Sequence, residues 1–185
     1  MFSLVSTSHA SIYIGGNYGL SSYLNPDLED YKIVPKGKTY GAFLGYGQNY
    51  LGLEFIFQKI SSIGQINHDG AKHEVSANTT VFGGAVRLSF EYLYMRGGIG
   101  SYQIEKNIDI DDEDSLASAQ DIYNIRNDTE REAGFLYGAG IQKKFGGVWF
   151  FLDYTKYQIN SQGSYNTFSG GLSFIIPDKV FKSAF

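Results

Sequence analysis

The feature that most restricts this chain is a hydrophobic alternation of period two, which recurs in eight runs joined by links that are short and long in turn. Successive side chains of a strand point to opposite faces, so a period of two selects β-structure and fixes which residues share a face. The first run begins near Ser11 and sets Ile12, Ile14, Gly16, Tyr18 and Leu20 against Ser11, Tyr13, Gly15, Asn17 and Gly19. Thr39 to Gly47 sets Tyr40, Ala42, Leu44 and Tyr46 against Gly41, Phe43 and Gly45, and Tyr50 to Gln58 sets Leu51, Leu53, Phe55 and Phe57 against Gly52, Glu54, Ile56 and Gln58. Val75 to Ser89 opposes Phe82, Val86 and Leu88 to Val81, Gly83, Ala85 and Arg87, while Tyr94 to Tyr102 opposes Met95, Gly97 and Ile99 to Arg96, Gly98 and Gly100. Glu132 to Phe145, Val148 to Tyr157 and Tyr165 to Ile176 complete the series in the same way.

The links carry as much information as the runs. Short ones at Gln48-Asn49, Phe90-Glu91 and Gly146-Gly147 interleave with long polar ones at about Ser21 to Lys38, Lys59 to Lys72, Gln103 to Arg131 and Gln158 to Ser164. Runs of about ten residues match the span of a tilted transmembrane strand. Short periplasmic turns alternating with long external loops are the pattern of outer-membrane barrels. The expected fold is therefore all-β, an eight-stranded antiparallel up-and-down transmembrane β-barrel over residues 11–176. No stretch approaches the roughly 18 apolar residues of a membrane-spanning helix, and the mean hydropathy is slightly negative. A barrel tolerates that average because only alternate side chains face lipid. A soluble lipid-binding barrel of the lipocalin kind would turn its apolar face inward. Here Glu54, Arg87, Arg96 and Asp153 share the face opposite the aliphatic one, which places the apolar face outside.

Composition narrows the function classes. A net charge of -4 gives no basic field for nucleic acid. The absence of cysteine excludes a disulfide scaffold, a thiolate metal site and a cysteine nucleophile. Tyr18, Tyr40, Tyr46, Tyr50, Tyr92, Tyr137 and Tyr154 fit two interfacial girdles, with rings in lipid and hydroxyls among headgroups. Residues 1–10 read as the end of a secretory signal, with Ser8-His9-Ala10 offering small residues before a cut after Ala10. Residues 177–185 form a short C-terminal extension.

Three sets of residues could carry chemistry. Glu54, Arg87, Arg96 and Asp153 are two acids and two bases in one narrow lumen, and buried charges are costly unless paired, so an interior salt-bridge network that plugs the lumen is expected. The alternative is a gated pore in which the pairs exchange. Asp109, Asp111, Asp112, Glu113 and Asp114 supply oxygen ligands of the kind calcium takes, with Asp121 and Asp128 further along, but they lack the glycine and distal glutamate of the helix-loop-helix calcium site. Such a block reads chiefly as a solvated face. A short helix over Ser115 to Ile125 would lie in the same link. Some outer-membrane barrels are enzymes that act on lipid A, which requires positioned acid–base groups. The histidines are His9, His68 and His73. His9 is expected to leave with the signal, and the other two to sit in a water-exposed loop around the turn Asn67-His68-Asp69-Gly70. No catalytic set and no cofactor is expected.

Tyr13-Ile14-Gly15-Gly16-Asn17-Tyr18-Gly19, Gly45-Tyr46, Leu51-Gly52-Leu53-Glu54, Met95-Arg96-Gly97-Gly98-Ile99-Gly100, Tyr137-Gly138-Ala139-Gly140-Ile141 and Gly170-Gly171-Leu172-Ser173-Phe174 together span nearly the whole chain. In order and spacing they resemble the OmpA/OmpX-like, opacity-type outer-membrane barrels. The resemblance implies a non-enzymatic, surface-exposed protein whose loops recognise host molecules, neighbouring cells or lipopolysaccharide. Ser169, Gly171, Phe174 and Ile176 resemble the terminal-strand signal read by the barrel-assembly machinery, although here the chain continues past that strand. The resemblance covers the barrel alone, without the peptidoglycan-binding domain of some relatives, and anchoring to the cell wall is not expected.

Overall fold

Each alternating run forms a strand, and nearly all of the strands outrun their sequence pattern. The computed structural model describes residues 11–24, 37–48, 50–68, 71–108, 129–159 and 163–177. The strands are β1 (Ser11–Leu24), β2 (Gly37–Gln48), β3 (Leu51–His68), β4 (Ala71–Ser89), β5 (Leu93–Ile108), β6 (Thr129–Phe145), β7 (Val148–Ile159) and β8 (Gly163–Pro177). They pair antiparallel in chain order, and β8 returns to β1 to close the barrel. Closure leaves no free sheet edge in lipid, where an unpaired backbone group would go unsatisfied. One row of paired residues runs Leu93, Ile141, Leu152, Gly170, Tyr18, Tyr40, Lys59, Thr80, Gln103, so a full circuit climbs ten residues along β5. That stagger sets the strand tilt that lets eight strands close.

The two faces fall as the alternation requires. Phe55 is 72% exposed on the outside while its neighbour Glu54 is 1% exposed in the lumen. The turns are tight at one end. The register Gln48↔Leu51 makes Asn49-Tyr50 the first link, one residue later than expected, and Phe90 to Tyr92 join β4 to β5. Gly146 has φ +61°, the left-handed conformation that a two-residue hairpin link requires.

At the opposite end the expected loops shorten. The segment Lys59 to Lys72 is not a loop but the top of a β3–β4 hairpin, paired as far as His68↔Ala71 and rising past the last register partners of β2 at Ile60 and of β5 at Val75. The segments Ser21 to Lys38, Gln103 to Arg131 and Gln158 to Ser164 likewise lose residues to strands. The reason is a change of phase. Ile60, Ile104 and Ile159 point inward and are buried, while the outward positions beside them hold Lys59, Gln103 and Gln158. Together with Val81, Tyr102, Leu136, Tyr157 and Tyr165 they fill the upper lumen with an apolar and aromatic layer. Tyr102 and Tyr157 meet edge-on at 6.5 Å, and Thr79 donates to the Tyr165 hydroxyl at 2.8 Å. The signal-like segment with His9, and the extension after Pro177, lie outside the described residues.

Candidate functional site

Below the apolar layer the lumen is charged, and its geometry is built twice. Tyr13, Gly45 and Glu54 face one another on β1, β2 and β3, and Tyr94, Gly140 and Asp153 do so on β5, β6 and β7. In each triplet the glycine leaves room for the ring: a Cβ on Gly45 would stand 2.1 Å from Tyr13 Cζ, and one on Gly140 2.7 Å from Tyr94 Cζ. The tyrosines cross the glycine strand to reach the acid beyond it. Tyr13 donates to Glu54 Oε1 at 3.2 Å, and Tyr94 donates to Asp153 Oδ2 at 3.0 Å.

Arg87 and Arg96 stand directly opposite each other on β4 and β5, a like-charge placement that needs carboxylates to offset it. Arg87 Nη1 lies 2.9 Å from Glu54 Oε1, Arg96 Nη2 pairs with Asp153 Oδ2, and a longer contact of 3.8 Å links Arg96 Nη1 to Glu54 Oε2. Arg87 also donates to Ser89 and Gln142, and its guanidinium lies 3.8 Å above the Tyr94 ring. Arg96 donates to Thr155 Oγ1 at 2.8 Å, and Ser169 donates to Asp153 Oδ1 at 2.7 Å. The sum is neutral, and most of the buried donors and acceptors are matched, the condition under which buried charge is tolerated. The weakest join is between the two halves, where Glu54 Oε2 and Arg96 Nε form no hydrogen bond.

The four lumen charges expected from sequence thus lie together. Sequence reasoning did not assign Tyr13, Tyr94, Ser89, Gln142, Thr155 and Ser169 to them. Each has inward parity and could have been found by laying the strands in register. The acidic run Asp109, Asp111, Asp112, Glu113 and Asp114, the helix considered over Ser115 to Ile125, and the turn residues Asp69-Gly70 lie outside the described residues. The two remaining histidines depart from expectation: His68 ends β3 and His73 lies on β4, both within a paired hairpin rather than an open loop. The girdle tyrosines Tyr18, Tyr40, Tyr46, Tyr50, Tyr92, Tyr137 and Tyr154 are all at least half exposed. Tyr154 donates to Asn166 Oδ1 at 2.8 Å.

Chemically the lumen arrangement neutralises and fills; it holds two acid–base pairs and a ring of hydroxyls beneath an apolar lid. Comparison with known proteins agrees with the architecture. Residues 3–175 match the family of the outer membrane protein beta-barrel domain. No curated protein matches the chain by sequence. Among solved structures, the attachment invasion locus protein Ail of Yersinia pestis is similar in fold, with a TM-score of 0.50 and 14% identity over 92% of this chain and 100% of Ail. Neisserial surface protein A is similar with a TM-score of 0.51 and 10% identity, over 89% of this chain and 97% of its own. This chain belongs to the outer membrane protein β-barrel family and is a small eight-stranded barrel of the bacterial outer membrane.

Proposed function

We propose that the barrel is a non-enzymatic surface protein whose external links adhere to host or neighbouring cells. The observation that carries this reading is the asymmetry of the two ends: tight turns at one, and at the other the links spanning 25–36, 109–128 and 160–162, together with a protruding β3–β4 hairpin. With the lumen filled by ion pairs and buried rings, recognition falls to those links, where a rigid scaffold commonly presents it. Ail has been solved in complex with the heparin analogue sucrose octasulfate. That supports surface recognition as a use of such a scaffold, but the acidic residues Asp109 to Asp114 argue against a sulfated polyanion on the longest link of this chain. We infer contacts with lipopolysaccharide in the membrane, and with the barrel-assembly machinery through Ser169, Gly171, Phe174 and Ile176, which lie on the strand that closes the barrel.

The test is adhesion of a non-adherent Gram-negative strain producing either the full chain or a variant with 109–128 replaced by a short Gly-Ser link. The full chain is expected to raise attachment to epithelial monolayers, and the variant to return it to the vector level while still shifting on gels after boiling. Equal attachment by all three strains overturns the reading.

A further inference from the structure

The outward face of β2 to β6 is not a uniform apolar wall. One register row holds Ala42, Phe57, Phe82, Ser101 and Ala133, and the row on its turn side holds Leu44, Phe55, Gly84, Ile99 and Phe135. Small side chains at Ala42, Gly84, Ser101 and Ala133 lie between large ones, and the Phe57 and Phe82 rings pack at 5.1 Å. The result is an apolar furrow of about 810 Å³, a volume in the range of ligand clefts. The next row toward the long links begins Tyr40, Lys59, and Lys38 is the outward residue above Tyr40 on β2. Lys38 and Lys59 are therefore diagonal neighbours on the outer face, close enough to share one ligand group. Both are exposed, and neither forms an ion pair with a carboxylate among the described residues.

We propose that this surface is a site for one phosphorylated lipid of the outer leaflet, of the lipid A class, with an acyl chain in the furrow and a phosphate between Lys38 and Lys59. The chain carries a net charge of -4, yet at the upper edge of its apolar belt this face presents two ammonium groups. Cations at such a boundary extend toward headgroups and draw anionic lipid. A free anion would have no use for the furrow, whereas a phospholipid-like ligand uses both features. The turn end differs: its outward Lys143 lies 5.2 Å from the Phe145 ring. The proposal rests on the reading that the long-link end faces the outer leaflet.

The experiment mixes the full chain, folded in neutral detergent, with bisphosphorylated lipid A or with the same lipid stripped of phosphate, and counts lipid retained per barrel after gel filtration. The wild type is expected to retain the phosphorylated form only. The double substitution Lys38→Gln with Lys59→Gln should lower retention by roughly tenfold or more, taking the usual contribution per surface lysine, and Lys143→Gln should leave it unchanged. Gly84→Leu fills the furrow, its nearest neighbour beyond the adjoining residues being 3.9 Å from a Cβ, and should also reduce retention with both lysines present. Boiling-dependent gel migration verifies that each variant folds. Equal retention of the two lipids, or retention unaffected by both sets of substitutions, overturns the site; displacement by millimolar inorganic phosphate overturns the lipid assignment. Because no cells take part, loss of adhesion in the loop variant and loss of lipid retention here are separate results.

Discussion

At the scale of single residues, the lumen shows why paired charges can be buried at all. Arg96 faces two carboxylates and a hydroxyl, so removing its guanidinium strands Asp153 without its main partner. Arg96→Leu is expected to destabilise the barrel by about 3–5 kcal/mol, the usual result of breaking a buried pair from one side. Urea titration of the folded band in detergent measures it, and the double change Arg96→Leu with Asp153→Leu should recover part of the loss; an unchanged midpoint for the single variant rules out the network as a stabilising plug. Gly45 has a different role, because it is the floor on which the Tyr13 ring lies to reach Glu54. Gly45→Val should displace that ring and lower stability by about 1–3 kcal/mol, with Tyr13→Phe, which loses only the hydroxyl, costing less in the same titration. The charges themselves were legible in the sequence from parity: Glu54, Arg87, Arg96 and Asp153 all oppose an aliphatic face. The tyrosine–glycine–acid triplets were not, because they join residues on three strands and emerge only when register is known.

Within each strand the informative event is a reversal of hydrophobic phase. Along β3, Leu51, Leu53, Phe55 and Phe57 face outward, and then Ile60 turns inward beside outward Lys59. Below this point the strand is written for lipid outside, with Glu54, Ile56 and Gln58 in a mixed lumen; above it the outward positions turn polar while Ile60 stays buried inside. A reader following only the aliphatic outer face loses the strand at the reversal, which is why the segments after Gln58 and Tyr102 read as loops. The short turns kept their places to within a residue, most sharply at Gly146-Gly147, where glycine marks the turn locally. The reversal gives a depth-dependent prediction: Phe55→Arg, near the middle of the outer belt, should cost about 2–4 kcal/mol, while Thr80→Arg, at its upper edge, should cost about 0–1 kcal/mol. Folding free energies in lipid vesicles decide this, and similar costs at the two positions rule out a membrane belt at this height. Ile104→Asp, which puts an unpaired charge into the buried upper layer, should be worse than Thr80→Arg although Ile104 faces the lumen and not lipid.

For the whole molecule, the eight runs and their alternating links were sufficient to predict closure, but not the ten-residue stagger, which depends on pairings that no local pattern records. Antiparallel pairing in chain order has a topological consequence: the three tight turns all lie at one end, and the links 25–36, 69–70, 109–128 and 160–162 at the other. If the tight end faces the periplasm, a short epitope inserted within 109–128 is expected to bind antibody on intact cells. The same epitope between Gly146 and Gly147 should be reached only after the outer membrane is permeabilised. The second insertion tests more than orientation, since Gly146 occupies a left-handed position and the register Phe145↔Val148 depends on a two-residue link. Flanking the epitope with glycines keeps that conformation accessible, so a folded barrel with reversed accessibility would mean that the long links face inward, and adhesion through them would then have no physical route.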